Sequence, residues 1–217
     1  IVFFYTYFTL SSNHNSKNLS LSPLDSFLKR AIDISLSISL IFLTSPLFIF
    51  FFLLIKFTSK GSAIYKQERV GLNGQIFTMY KFRSMEIHDE SVYVQTKKND
   101  PRVTFVGNII RRLSIDELPQ LINVLIGNMS LVGPRPAPIV LHEKYKLNFV
   151  DFPKRLNVKP GITGLAQIKG FRGGDDLDHI RKRLDYDIEY ISNWSLSSEI
   201  KIIFLTPISL LTGKDIY

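Results

Sequence analysis

Residues 31–57, AIDISLSISLIFLTSPLFIFFFLLIKF, constrain the fold of this chain more than any other stretch. A helix rises ~1.5 Å per residue, so about 24 residues of it could cross a ~30 Å hydrocarbon core. The flanks argue against a simple crossing. Lys29 and Arg30 precede the segment, and Lys56 and Lys60 close it; basic flanks stay on the cytoplasmic side. Pro46 lacks a backbone donor and clashes with the carbonyl four residues earlier, which kinks a helix. Ser45 can bond a freed carbonyl, so the break is tolerable in lipid. The segment predicts a re-entrant helical hairpin, broken at Ser45-Pro46, that enters and leaves on the cytoplasmic side. A straight transmembrane helix is the alternative.

This segment organises the rest. The 17 Phe residues concentrate in 1–10 and 42–57, so the apolar excess is local. Residues 1–10 are too short to cross a bilayer, and the first residue is Ile. They read as the remnant of an upstream membrane helix, since no small-residue cleavage site follows. The Ser- and Asn-rich residues 11–28 read as a linker. Residues 29–60 form the membrane helix, and 61–217 a cytoplasmic, membrane-associated catalytic domain. The chain has no Cys, which excludes disulfides, thiolate zinc sites and cysteine nucleophiles. Its four His residues lack metal-ligand spacing. The net charge of +8 favours anionic partners. No groove-reading motif supports nucleic acid among them.

Residues 62–82 alternate and carry Gly71 and Asn73-Gly74, which predicts a β-hairpin with strands over 64–69 and 75–82. Residues 86–100 are polar and read as a surface loop. Residues 102–113 form a basic amphipathic helix suited to a membrane surface. Ser114-Ile115-Asp116-Glu117 matches a capping box, with Pro119 near the helix start and Gly127-Asn128 at its end. Residues 130–138 are extended. Lys159-Pro160-Gly161 predicts a type II turn. Residues 177–190 read as a charged helix and 196–211 as an apolar, amphipathic one, led by Trp194, an aromatic suited to the membrane interface.

The adjacent carboxylates Asp116 and Glu117 carry two readings. They complete a capping box and complement a helix dipole, or they do phosphoryl chemistry. A carboxylate can attack phosphorus covalently. A second one can help hold Mg²⁺, which takes one or two carboxylates plus substrate phosphates. A helix N-terminus would steady the transferred phosphate. The surroundings favour chemistry. Arg111 lies just upstream, and Arg135 sits between Pro134 and Pro136, which restrict its backbone. Arg presents a planar fork to phosphate. Lys81 and Arg83, at the end of the second strand, could reach a diphosphate. Asp187 and Tyr190, one turn apart on the charged helix, could touch a substrate, although packing explains them equally well.

Lys29-Arg30-Ala31-Ile32-Asp33, Ser45-Pro46, Tyr80-Lys81-Phe82-Arg83-Ser84-Met85, Asp100-Pro101-Arg102-Val103-Thr104 and Leu113–Gln120 resemble the bacterial polyprenyl-phosphate sugar-1-phosphate transferases. So do Ser130–Pro136 and Lys159–Gly164. The resemblance covers about residues 29–217. It implies a monotopic, helix-rich α+β protein with a re-entrant membrane helix, a small β-hairpin and interfacial amphipathic helices. By resemblance, Asp116 is the nucleophile, Glu117 its partner near Mg²⁺, and Lys81, Arg111 and Arg135 bind phosphate. Gly170-Phe171-Arg172-Gly173 and Tyr186–Ser195 look like the long exopolysaccharide-priming members, which often use UDP-glucose and carry an amino-terminal block of membrane helices. Asn128 stands where an acid is usual, and Gly174-Asp175-Asp176 departs from the usual acidic-threonine run.

The resemblance implies transfer of a sugar 1-phosphate from a UDP-sugar to undecaprenyl phosphate, releasing UMP, through a phosphosugar-aspartate, at the cytoplasmic face of the bacterial inner membrane. UDP-galactose or a UDP-N-acetylated sugar is the alternative donor. The partners implied are the UDP-sugar, the polyprenyl phosphate and membrane lipids, with a homodimer allowed. Asp116 as a general base on the lipid phosphate is a second mechanism. A non-catalytic membrane-anchored scaffold is a remote third reading.

Overall fold

In a computed structural model, residues 22–87, 94, 96, 99–174 and 176–212 are described. The fold is helix-rich, with small two-stranded sheets. Helix α1, Pro23–Thr58, has 36 residues and by its rise is ~54 Å long. Ser22 caps it, its Oγ accepting from the Asp25 amide at 3.1 Å. The helix thus starts inside the stretch expected to be a linker. Residues 11–21 of that stretch, and residues 1–10, lie outside the described residues. Pro46 falls inside α1, and the helix carries no interruption at Ser45-Pro46. Thr44 and Ser45 turn their hydroxyls back onto the carbonyls of Leu40 and Phe42, at 2.7 and 2.8 Å.

Helix α1 is apolar enough to cross a membrane by length and composition, yet one stripe of it is covered by protein. Asp33, Ser37, Phe51 and Ile55 are buried, with Ile41 and Phe48 packed between them. The spacing of three, four and seven keeps them on one face. Phe42, Leu43, Ile49, Phe50, Leu53 and Phe57 point away and are exposed. Both ends are fixed to the same domain. Asp33 accepts from Ser130 Oγ at 3.0 Å and from the Leu131 amide at 2.9 Å. Arg30 donates to the carbonyls of Val124 and Leu125. At the other end, Arg83 holds Ser59.

Strands β1, Ile64–Val70, and β2, Ile76–Phe82, pair antiparallel in the expected hairpin. Asn73 and Gly74 both take positive φ, 53° and 77°, as a tight reversal requires. Thr104 caps α2, Phe105–Arg112, which buries Val106 and Ile110 and exposes Phe105. Helix α3, Gln120–Ile126, ends at Gly127 with φ 91°. Strand β3, Ser130–Val132, is followed by α4, Ile139–Asn148, and a 3-10 turn, Phe152–Asn157. Strand β4, Gly161–Thr163, pairs parallel with β3. The short α5, Leu165–Ile168, precedes α6, Leu177–Ser192, and α7, Leu196–Thr212. Trp194, between the last two, donates to Glu199 at 2.7 Å.

Two local readings change. A type II turn at Lys159-Pro160-Gly161 needs positive φ at Gly161, but Gly161 is absent from the positive-φ residues. It instead opens β4. A Cβ there would lie 2.1 Å from the Gly133 nitrogen, so glycine lets the two strands approach. Helix α4 was not expected: Leu141 and Tyr145 on its inner face, and Phe149 just beyond its end, pack with Phe152, Ile180 and Leu184.

Candidate active site

An open cleft of about 1090 Å³ lies beside the β-hairpin, and Lys81, Arg111, Asp116, Glu117, Arg135 and Arg172 line it. Lys81 projects from β2, opposite Tyr65 in the hairpin register. Arg111 comes from the last turn of α2. Beyond α2 the chain reverses at Ser114, a non-glycine residue with φ 56°. A 3-10 turn, Ile115–Glu117, then presents both carboxylates, while Ile115 and Leu118 pack into the apolar clusters beneath.

This corrects the capping box. The Ser114 side chain makes no cap hydrogen bond; its hydroxyl accepts from Arg172 Nη1 at 3.2 Å. Helix α3 begins only at Gln120. Asp116 therefore does not sit at the N-terminus of a long helix, and the positive charge in the cleft comes from side chains.

The adjacent carboxylates are in different states. Glu117 Oε1 accepts from Lys81 at 3.2 Å and Arg135 Nη2 at 2.5 Å, and Oε2 accepts from Arg135 Nη1 at 3.3 Å. Arg172 lies 3.6 Å from Oε2. Burial pushes the Glu117 carboxyl up, but Arg135, Lys81 and Arg172 outweigh it and hold it well below the usual range. Among the described residues, Asp116 has no hydrogen bond or ion pair of its own. Burial raises its carboxyl, helped by Glu117 and opposed by Lys81, Arg111 and Arg135. Burial also lowers the Lys81 ammonium despite Glu117. The Arg135 guanidinium is desolvated too, but Glu117 more than compensates and raises it.

The other expected site residues separate. Arg83 borders the cleft, but its guanidinium binds Ser59, to the carbonyl at 3.3 Å and Oγ at 2.9 Å, so it ties β2 to the end of α1. Asp187 is buried off the cleft, 2.7 Å from Arg155. Tyr190 is buried as well and gives its hydroxyl proton to Glu199, which Lys29 also reaches at 2.7 Å. Neither lines the cleft. Sequence reasoning missed Arg172 as a site residue. The only signal was its place in Gly170-Phe171-Arg172-Gly173, a motif with no assigned chemistry.

Among the described residues no group of three or more His, Cys, Asp or Glu side chains converges. The donor set still fits Mg²⁺, which accepts one or two carboxylates when substrate phosphates complete its shell. Asp116 can supply such an oxygen directly. Glu117 Oε1 already accepts two hydrogen bonds, so its Oε2 is the more available atom.

The residues 24–213 match the family described as bacterial sugar transferase. The UDP-glucose:undecaprenyl-phosphate glucose-1-phosphate transferase of Escherichia coli K12 is 46% identical over 91% of this chain and 43% of its own length. The protein of the same name in Caulobacter vibrioides is 43% identical over 87% of this chain and 72% of its own. Exopolysaccharide production protein PSS of Rhizobium leguminosarum bv. phaseoli is 44% identical over 88% of this chain and 99% of its own. The chain thus spans less than half of the first of these relatives and nearly all of the last. The motifs resembling sugar-1-phosphate transferases, the cationic cleft around Asp116 and Glu117, and a match over nearly the whole chain agree: the chain belongs to the bacterial sugar transferase family.

Proposed function

We propose that this chain transfers a sugar 1-phosphate from a UDP-sugar, UDP-glucose first among donors, to undecaprenyl phosphate at the cytoplasmic face of the inner membrane. The observation that carries this reading is the unequal carboxylate pair. Glu117 is locked by cations, whereas Asp116 is desolvated and uncommitted in the same cleft. A desolvated carboxylate of raised basicity is the better nucleophile once ionised.

An Asp116 oxygen attacks the phosphorus attached to the sugar. The P–O bond to UMP breaks, and UMP leaves with its oxygen and electron pair. A phosphate oxygen of the lipid then attacks the same phosphorus, the Asp116–phosphorus bond breaks, and the carboxylate returns. Lys81, Arg111 and Arg135 bind the phosphates and offset charge that grows on the leaving oxygens. Glu117 keeps Lys81 and Arg135 oriented. Asp116 and Glu117 would hold Mg²⁺ together with substrate phosphates, and the bound ion would supply further charge neutralisation at the diphosphate.

Helix α1 supports the membrane placement. Both of its ends bind the one domain, and its outer face is apolar. This favours a helix that dips into one leaflet; the helix is continuous through Pro46, which is where it would bend in lipid. A soluble nucleotide and a lipid phosphate could then meet at the membrane surface.

The test is UMP release from a panel of UDP-sugars, with undecaprenyl phosphate and Mg²⁺. UDP-glucose should react, and a single turnover should release UMP before lipid is added. UMP release only after lipid addition would remove the covalent step and leave Asp116 as a base.

A further inference from the structure

Helix α6 buries a carboxylate that the transfer chemistry leaves unused. Asp187 lies 2.7 Å from Arg155, and the two side chains are 3% and 5% exposed. The same Arg155 nitrogen, Nη2, donates to the Arg135 carbonyl at 2.7 Å. The Arg155 guanidinium carbon lies over the Phe152 ring, 4.9 Å from its centroid, within cation–π range. A buried ion pair adds little stability over apolar packing of the same volume. Its place, directly behind a residue of the cleft, gives it another use.

The segment that presents Arg135 needs outside support. Pro134 and Pro136 have no amide hydrogen, so the stretch depends on its carbonyls to be held. Each one is taken. Val132 accepts from Lys29 at 3.0 Å, Pro134 from the Gly161 amide at 3.0 Å, and Pro136 from Arg69 at 2.9 Å. The Arg135 carbonyl accepts from Arg155.

We propose that Asp187 and Arg155 form a positioning relay. Asp187 fixes the Arg155 guanidinium, Arg155 fixes the Arg135 backbone, and the backbone sets the angle at which Arg135 grips Glu117. The relay rests on the transfer reading only in taking Arg135 and Glu117 as parts of the site. Neither Asp187 nor Arg155 lines the cleft.

The test uses Asp187→Asn and Arg155→Lys, each alone and combined with Arg135→Ala, in the full chain in nanodiscs. Each relay variant should lower kcat/KM for the UDP-sugar on the order of 10- to 100-fold, as small misplacements do. In the Arg135→Ala background each should cause little further loss, because the relay acts through Arg135. Losses that multiply across the two backgrounds would overturn the relay, as would full activity in a folded variant. Amide hydrogen exchange supplies a readout that needs no activity. Exchange should accelerate in peptides covering 130–138 and stay unchanged in α2. Unchanged exchange in 130–138, or acceleration everywhere, would also overturn it. If Asp187→Asn fails to fold, Arg155→Lys, which keeps the charge and loses the fork, carries both measurements. If the wild-type chain releases UMP from no donor, the transfer reading fails and the exchange measurement alone decides the relay.

Discussion

Arg135 closes on Glu117 with both terminal nitrogens, at 2.5 and 3.3 Å, and makes no such bond to the neighbouring Asp116. Two carboxylates adjacent in sequence thus do different work. One anchors the cations, and the other has no such partner among the described residues.

Glu117→Gln removes the charge that Lys81, Arg135 and Arg172 share. Breaking a buried pair from one side is costly, and part-exposure of the partners moderates this to about 2–4 kcal/mol. Denaturant unfolding of the detergent-solubilised protein measures the loss. The Glu117 carboxyl is depressed in the fold. Its contribution is therefore complete above the unfolded value of about 4.3 and is lost as pH falls through the lower folded value. The difference between wild type and Glu117→Gln should shrink in that acid range; a constant difference would contradict the assigned ion pairs.

Asp116→Asn should lower turnover by about 10³-fold or more and abolish any trapped phosphosugar adduct in mass spectra. The same change should raise stability at neutral pH by roughly 1 kcal/mol, because it removes a desolvated charge. The sign follows from the raised carboxyl: its proton binds more tightly in the fold than in the unfolded chain. Stabilisation by the proton is complete below the unfolded value and is lost as pH rises through the folded one. A lower melting temperature for Asp116→Asn would show that the carboxylate is held by contacts rather than desolvated.

Arg135→Lys keeps one positive charge but loses the fork. We expect kcat/KM to fall about 10- to 100-fold, while Glu117 stays ionised through Lys81. Steady-state kinetics on UDP-glucose tests this, and wild-type rates would make the bidentate grip dispensable.

Gly161→Ala places a methyl 2.1 Å from the Gly133 nitrogen. Backbone, not a flexible side chain, must then move, at a loss of about 1–3 kcal/mol. Since β4 lies behind the segment carrying Arg135, activity should fall with stability. Thermal unfolding monitored beside UMP release checks both.

The chain has no native cysteine, so Ser22→Cys and Ser62→Cys can report the two ends of α1 separately. Both should react with an impermeant maleimide from the cytoplasmic side. Labelling from opposite sides would replace the proposed re-entrant helix with a spanning one.

The sequence alone determined the local features. Asn73-Gly74 specified the hairpin because few residues adopt positive φ there. Gly127 ended α3 for the same reason. The apolar run specified α1, and the ordered motifs specified the family. Lys81, Arg111, Asp116, Glu117 and Arg135 were legible as a group because carboxylates between cations suit phosphate chemistry. Only the tertiary structure decided how these groups are paired. Ser114-Ile115-Asp116-Glu117 has the letters of a capping box, but cations from β2, the β3–α4 segment and the loop before α6 compete for Glu117 and win. Arg83 turned to Ser59, and Asp187 and Tyr190 turned inward, because a helix of known period does not reveal which neighbour covers each face. Desolvation likewise separates Asp116 from Glu117: charge and burial depend on what surrounds a side chain, and that is set by contacts between residues far apart in sequence.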